Sequence, residues 1–526
     1  MNESSLAFTT SDAEFLRSQY GAFNTALRSL YNDDILQLAD KEKPFEFDDS
    51  LFEAAASLVY ENGGFDISQL EDPAARAVIN ETLRVLSTAI DSGLPHEVPT
   101  TVRYALENNA FIFSGFKTFH SMREIGLSMV TDKGDIKPFN DFMADVRKIN
   151  QLYNHNYLYA EYNHAVGTSL MAAKWHDFEQ DGDRYNLQYR TANDGRVREE
   201  HALLHETTLP ASNPFWDKYY PPNGWNCRCT VVQVRKDKYQ TSDPAMAMLR
   251  GDNCTDGVKQ RMFRYNPGKT MELFPPKHPY RKAPKEAKVV IEKVSAEEMR
   301  AKRIQDVIAE LPDNLTAQEK QAIAENCLEI EQNYGIVKGK AMTYEQANTG
   351  KENPHYKQGG GYHINCQTCT VTHWLRRLGF NLQAQPNKVL HKRHQGTAYD
   401  ILDKVGIKWT ERFVNLDGSK IDYDFTYKWQ IKKGYKSMTT QRLHEYLNEK
   451  LANDGVYEIY CGWKGGDAHV FCAEVSDGKV RYFDPQSGDN DVSRYIPRMK
   501  PGMVGVIRID NKKINPDIGK LFLNAE

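Results

Sequence analysis

The chain has 526 residues, 40% of them hydrophobic and 26% charged, with a formal net charge of −4. That length serves about two to four domains with cores of their own, and the composition excludes a chain disordered throughout. So small a net charge also excludes a global attraction to nucleic acid or anionic lipid, although a local basic patch would be hidden in the sum.

The opening MNESSLAFTTSDAEFLRSQY lacks the basic start and apolar run of a secretory signal. No stretch reaches the ~18 apolar residues that span a bilayer, so synthesis in the cytoplasm and no membrane segment are expected. The eight cysteines are too few for a disulfide scaffold. Their close pairs, Cys227/Cys229 and Cys366/Cys369, read as ligands or reactive thiols.

From about Leu6 to Lys174 apolar residues recur at three- and four-residue spacing, as in AVINETLRVLSTAI (Ala77 to Ile90), which predicts helices of a packing or docking region. Tyr185 to Val234 changes character and is rich in aromatics, prolines and turns. Asn193-Asp194-Gly195 predicts one turn, and Pro221-Pro222-Asn223-Gly224 predicts another that leads into a strand around Cys229 to Val234. Phe274 to Lys288 mixes prolines with basic residues, as an exposed linker does. A helical segment is expected from a cap at Ser295 to about Tyr334, and Tyr356 to Ile509 alternates one strong helix with β-patterned runs. The chain therefore reads as multidomain: a mainly helical N-terminal region over 1–145, a small α+β module over 146–235, a linker and helical connector over 236–345, and an α+β domain over 346–510.

In the central module His201 and His205 lie four apart and precede Cys227-Arg228-Cys229. These are the ligand types of tetrahedral zinc, but the spacing fits no standard finger. Two buried thiols with surface histidines are the simpler expectation, so no metal is expected, with His201, Cys227 and Cys229 as the metal alternative. The runs TANDGRVREEH and NPFWDKYYPPNGWNCRC resemble the phage Mu protein F-like minor head proteins, and the preceding EYNHAVGTSLMAAKWHDFE is in keeping. Arg196, Arg198, His201, Trp225, Cys227 and Cys229 carry that resemblance. It implies a virion component near the portal that takes part in head assembly, with those residues as architecture and with portal and head proteins as partners. DNA contact inside a head would be compatible with this, but no sequence feature points to it.

In HINCQTCTVTHWLRRLGF (His363 to Phe380) a helix starting at Cys366 has Val371, Trp374, Leu375 and Leu378 as its apolar stripe, with Gly379 at its C-terminal cap. Cys366 would then occupy the first position, where free N–H groups and the positive end of the helix dipole stabilise a thiolate. Cys369, in the first turn, shares part of that advantage. A zinc knuckle, a redox pair and inert packing are the alternatives to a nucleophile. A thiol nucleophile needs a histidine base and a group to orient it, and no cofactor. DAHVFCAEVSDGKVRYFDPQSG (Asp467 to Gly488) predicts a hairpin about Asp477-Gly478 that pairs His469 with Gln486 and turns His469, Asp484 and Gln486 to one face.

These blocks, with NPHYKQGGGYHINCQTCTVTHWLRRLGFNLQAQPN, are similar to papain-fold toxin domains classed as glutamine deamidases. The resemblance implies an α+β papain-like domain with Cys366 as nucleophile, His469 as general base and acid, Asp484 as orienter, and Cys369 and Gln486 as accessory. Thr370, Thr372 and His373 depart from the family's more apolar helix. The joint expectation is a phage minor head protein carrying a C-terminal effector that deamidates glutamine in a host or competitor protein. A cysteine protease on the same triad and a purely structural head protein are the alternatives. Such a chain would reside in the producing bacterium's cytoplasm and then in the virion, deliver its effector to a target cell, and call for an immunity partner.

Overall fold

The computed structural model describes residues 18, 20–31, 43–95, 98–387, 402 and 406–524, so the expected helical pattern of residues 6–17 lies outside them. The chain divides into two compact units, Met1–Met299 and Arg300–Glu526. Among the described residues no helix is long and apolar enough to cross a membrane.

The first unit is built on the helices Pro73–Gly93, Thr100–Ser128 and Leu158–Asp181. Leu83, Leu86, Ile90, Phe111, Phe113 and Ala165 from these helices meet in one core. Thr100–Ser128 is buried around most of its circumference, so its polar residues need internal partners. Lys117 Nζ accordingly sits 2.5 Å from Glu161 Oε2, and Tyr31 donates its hydroxyl to Glu161 Oε1 at 2.8 Å. Beside the helices lies a three-stranded antiparallel sheet, ordered Thr208–Pro210, Asn186–Arg190, Thr230–Val234.

The stretch Phe274–Lys288, expected as an exposed linker, is instead part of the first unit. Phe274 and Tyr280 are fully buried in its core, and the Phe274 ring stacks on Phe113 at 3.8 Å. Proline and lysine content misled here because the aromatic residues between them supply the packing. The unit boundary falls within the helix Lys285–Glu310. Ser295, expected as a cap, is a buried residue inside that helix. The capping box belongs to Thr316 and Glu319, which open the helix Ala317–Tyr334. That helix is no connector, because its Ile323, Ala324 and Cys327 share a core with Val371 and Leu375.

The second unit contains a five-stranded antiparallel sheet in the order Asp424–Phe425, Met499–Arg508, Gly455–Trp463, Ala468–Ser476, Lys479–Phe483. Side chains alternate between its faces. Tyr457, Ile459 and Phe471 pack with Leu443 and Tyr446 of the helix Thr440–Lys450. Glu458 and Glu474 point the other way, to Thr370 and Arg377 of the helix Cys366–Arg377.

Candidate functional site

The helix Cys366–Arg377 begins at Cys366, with Asn365 as its cap residue. Thr368 and Cys369 donate their N–H groups back to the Asn365 carbonyl, which leaves those of Cys366 and Gln367 without an intrahelical partner. Cys366 is partly exposed, whereas Cys369 is fully buried and burial pushes its thiol far above the ordinary range. A neutral thiol with no solvent access has the properties of a small core side chain.

The expected amphipathic helix is in fact buried on every side from Thr368 to Arg376. Its unexpected polar residues have partners within the unit. Thr370 donates to Glu458 Oε2 at 2.6 Å, Thr372 bonds back to the Thr368 carbonyl, and His373 Nδ1 lies 2.8 Å from Glu352 Oε1. Burial pushes Glu352 up to about 8 and holds His373 well below the usual imidazole range. Arg412, fully buried, donates to both Glu458 oxygens at 2.7 and 2.6 Å and to the Gln367 carbonyl at 2.6 Å. This tethers the first turn of the helix, next to Cys366, to the sheet.

The hairpin turns at Asp477-Gly478, with Ser476 opposite Lys479. Its ladder ends at Cys472 opposite Phe483, before the register reaches His469 and Gln486. Beyond Phe483 the chain curls, with Asp484 N–H donating to the Asp489 carbonyl and Gly488 N–H to the Asp484 carbonyl. Asp484 nevertheless reaches His469, whose Nε2 lies 3.0 Å from Asp484 Oδ2. Tyr495 donates its hydroxyl to the same oxygen at 3.0 Å, and Gln486 N–H donates to Oδ1 at 3.0 Å.

Burial alone would lower the His469 pKa. The hydrogen bond to Asp484 and the charges of the Cys366 and Asp484 side chains outweigh it and push the imidazole up to about 10. Burial would raise Asp484, but its bond to His469 holds it below the ordinary carboxylate value. Asp484 thus holds the imidazole directly, and Cys366 acts on it electrostatically. The Trp463 ring stacks over His469 at 5.9 Å. Gln486 does not face His469 from a paired strand. Its side chain donates to Asn365 Oδ1 at 3.2 Å, so it supports the helix start instead. Sequence reading missed Tyr495, Arg412, Glu458 and Glu352. The polar helix positions Thr370 and His373 were the signal that buried polar partners had to exist.

In the first unit, the turn before Cys227 is closed by Arg198, which donates to the Trp225 carbonyl at 2.9 Å. Arg198 comes so near that a Cβ on Gly224 would stand 3.2 Å from its guanidinium. Arg228 pairs with Asp194 at 2.5 Å. His201, expected at the surface, is buried, with Nδ1 3.6 Å from Cys227 Sγ and 3.5 Å from Cys229 Sγ. His205 is not part of this cluster, since its Nδ1 accepts from the Thr191 N–H at 3.1 Å.

Residues 137–232 match the family model described as Phage Mu protein F like protein. The chain is 42% identical over 168 residues to the "Putative capsid assembly protein F" of Escherichia phage Mu, which covers 31% of this chain and 35% of that protein. It is 41% identical over 68 residues to the "Mu-like prophage FluMu F protein" of Haemophilus influenzae, covering 12% and 16% respectively. The chain thus spans about a third of the length of the first relative and less of the second. No solved structure matches it. The likeness gives this chain a Mu F-like module at residues 137–232, the segment that holds His201, Cys227 and Cys229.

Proposed function

We propose that the chain serves in phage head assembly through its Mu F-like module, and that its second unit is a papain-like cysteine amidohydrolase that deamidates glutamine in a target protein. The family match and the likeness to the phage Mu capsid assembly protein support the first part. One observation carries the second: a histidine whose Nε2 is held by a buried aspartate also feels the charge of a part-exposed thiol at a helix start.

In this reading the Cys366 thiolate attacks the side-chain amide carbon of glutamine, and the oxygen of the tetrahedral adduct is received by N–H groups at the helix start. The His469 imidazolium gives its proton to the departing nitrogen, which leaves as ammonia with a thioester on Cys366. Water then loses a proton to His469 as it attacks the thioester, which releases glutamate and the thiolate. Asp484 keeps the imidazole in place and favours its charged form. Portal and head proteins are the partners of the first unit, and a host or competitor protein is the target of the second, with an immunity protein guarding the producer. The chain would occupy the producing cell's cytoplasm and then the virion, from which the effector is delivered.

The test is labelling of the full chain by an electrophilic glutamine analogue. Cys366 should react far faster than free cysteine, and His469→Ala should abolish that advantage. Reaction at the rate of free cysteine would contradict the enzymatic part and leave a head-assembly protein whose second unit docks or decorates.

A further inference from the structure

We propose that His201, Cys227 and Cys229 form a zinc site in the Mu F-like module. Their ligand atoms, one imidazole nitrogen and two sulfurs, all lie within 4.8 Å of one another. Among the described residues this is the one set of three such side chains that converges in this way.

The two sulfur–nitrogen distances match those of a tetrahedral zinc centre. With Zn–S near 2.3 Å and Zn–N near 2.0–2.1 Å, a tetrahedral centre separates sulfur from nitrogen by about 3.6 Å. The two sulfurs stand 3.6 and 3.5 Å from His201 Nδ1. Hydrogen bonding alone accounts poorly for this arrangement. In either tautomer Nδ1 offers one lone pair or one N–H, so the two sulfurs compete for a single bond to it. A cation between the three atoms receives a lone pair from each. Two thiolates and one neutral imidazole also cancel the charge of a divalent ion, and this soft N/S set suits zinc over harder cations.

Separate pieces of the chain bring the ligands together. His201 lies on the short helix Glu199–Ala202, and the cysteines follow the Pro221–Gly224 turn, just before the strand Thr230–Val234. Bonds made by other residues fix that turn independently of any metal. Arg198 holds the Trp225 carbonyl, and Tyr189 donates its hydroxyl to Asn223 Oδ1 at 2.8 Å. The ligands are thus positioned before an ion arrives. All three line one cleft of about 520 Å³, together with Asn163, Arg196 and Asn226. Three protein ligands leave one tetrahedral corner open, and a water molecule from this cleft would fill it.

The test uses the full chain, with Cys366→Ala as background so that the other part-exposed thiol of the second unit binds nothing. After removal of bound metal, cobalt(II) is titrated in as a spectroscopic probe, and zinc content of the untreated protein is measured by mass spectrometry. The proposal expects one equivalent of zinc per chain and a cobalt form with a thiolate-to-metal charge-transfer band and the strong visible bands of a four-coordinate centre. Cys227→Ser or Cys229→Ser should weaken cobalt binding by about 10-fold or more and diminish the charge-transfer band, while His205→Gln should change neither. A folded parent chain that gives no thiolate–cobalt band overturns the proposal, and this result does not depend on whether any serine variant folds. An unchanged band in both folded serine variants overturns it equally.

Discussion

His469 Nε2 and Asp484 Oδ2 meet at 3.0 Å across a hairpin whose ladder stops short of both residues. The imidazolium is therefore held by the curl after Phe483 and by Tyr495, which shares the same carboxylate oxygen. Because His469 is pushed up to about 10, above the ~6.5 of a histidine in an unfolded chain, the folded state binds the extra proton between those values. The stabilisation is fully present below about pH 6.5 and is lost as pH rises through about 10. Asp484 is held down, so its contribution is present above the ordinary carboxylate value and is lost as pH falls through its folded value. Asp484→Asn should cost about 3 kcal/mol near neutral pH and flatten the alkaline fall in stability relative to the parent chain. Denaturant unfolding across pH 5 to about 10 measures both. Parallel curves for the two proteins would show that the pair contributes nothing.

The influence of Cys366 on His469 makes a separate prediction. Since Cys366 helps to raise the imidazole, Cys366→Ala should lower the His469 titration midpoint, read from its ring resonances by NMR. An unmoved midpoint would mean that the thiol and imidazole do not interact.

Cys366 and Cys369 should differ in reactivity because one is partly exposed and the other is fully buried. Iodoacetamide should modify Cys366 in the native chain and Cys369 only after unfolding, as peptide mapping would reveal. Cys369→Ala should cost about 1 kcal/mol of stability through the small cavity it leaves. Modification of native Cys369 ahead of Cys366 would contradict this assignment.

Arg412 and Glu458 form an ion pair with both side chains fully buried, and Arg412 also grips the Gln367 carbonyl. Removing one partner leaves a buried charge, so Glu458→Gln or Arg412→Leu should each destabilise the chain by about 3–5 kcal/mol. The double substitution should cost less than the sum of the single ones, as denaturant unfolding of all three variants would establish. Additive losses would mean that the two charges do not depend on each other.

Phe274 to Lys288 should resist limited proteolysis, because Phe274, His278 and Tyr280 are buried in the first unit. A first cut inside that stretch, located by mass spectrometry, would contradict the packing.

What could be read in the sequence was local. The helix start at Cys366 follows from apolar spacing, and the Asp477-Gly478 turn follows from a dipeptide that tolerates positive φ, at 51° and 68° here. The route by which His469 and Asp484 meet was only partly legible, because the register of the hairpin carries no information on where its ladder ends. Burial around Thr370 was not legible either. Its partner Glu458 is 88 residues away, and Arg412 is 46 residues from Glu458. Periodicity within one helix cannot encode such partners. Phe274 to Lys288 was misread for a related reason: its prolines and lysines lie between aromatic rings whose packing partners, such as Phe113, sit on a distant helix.

The chemistry proposed for the second unit is tested most directly by ammonia release from a glutamine-containing protein substrate by the full chain, with the product mass followed in parallel. The parent chain should release ammonia in step with the mass gain of amide to acid. Cys366→Ala and His469→Ala should each lower the rate by about 10³-fold or more, and Cys369→Ala should keep most of it. New peptide termini without ammonia would make the unit a protease on the same three residues. Equal rates for the parent and Cys366→Ala chains would rule out Cys366 as the nucleophile.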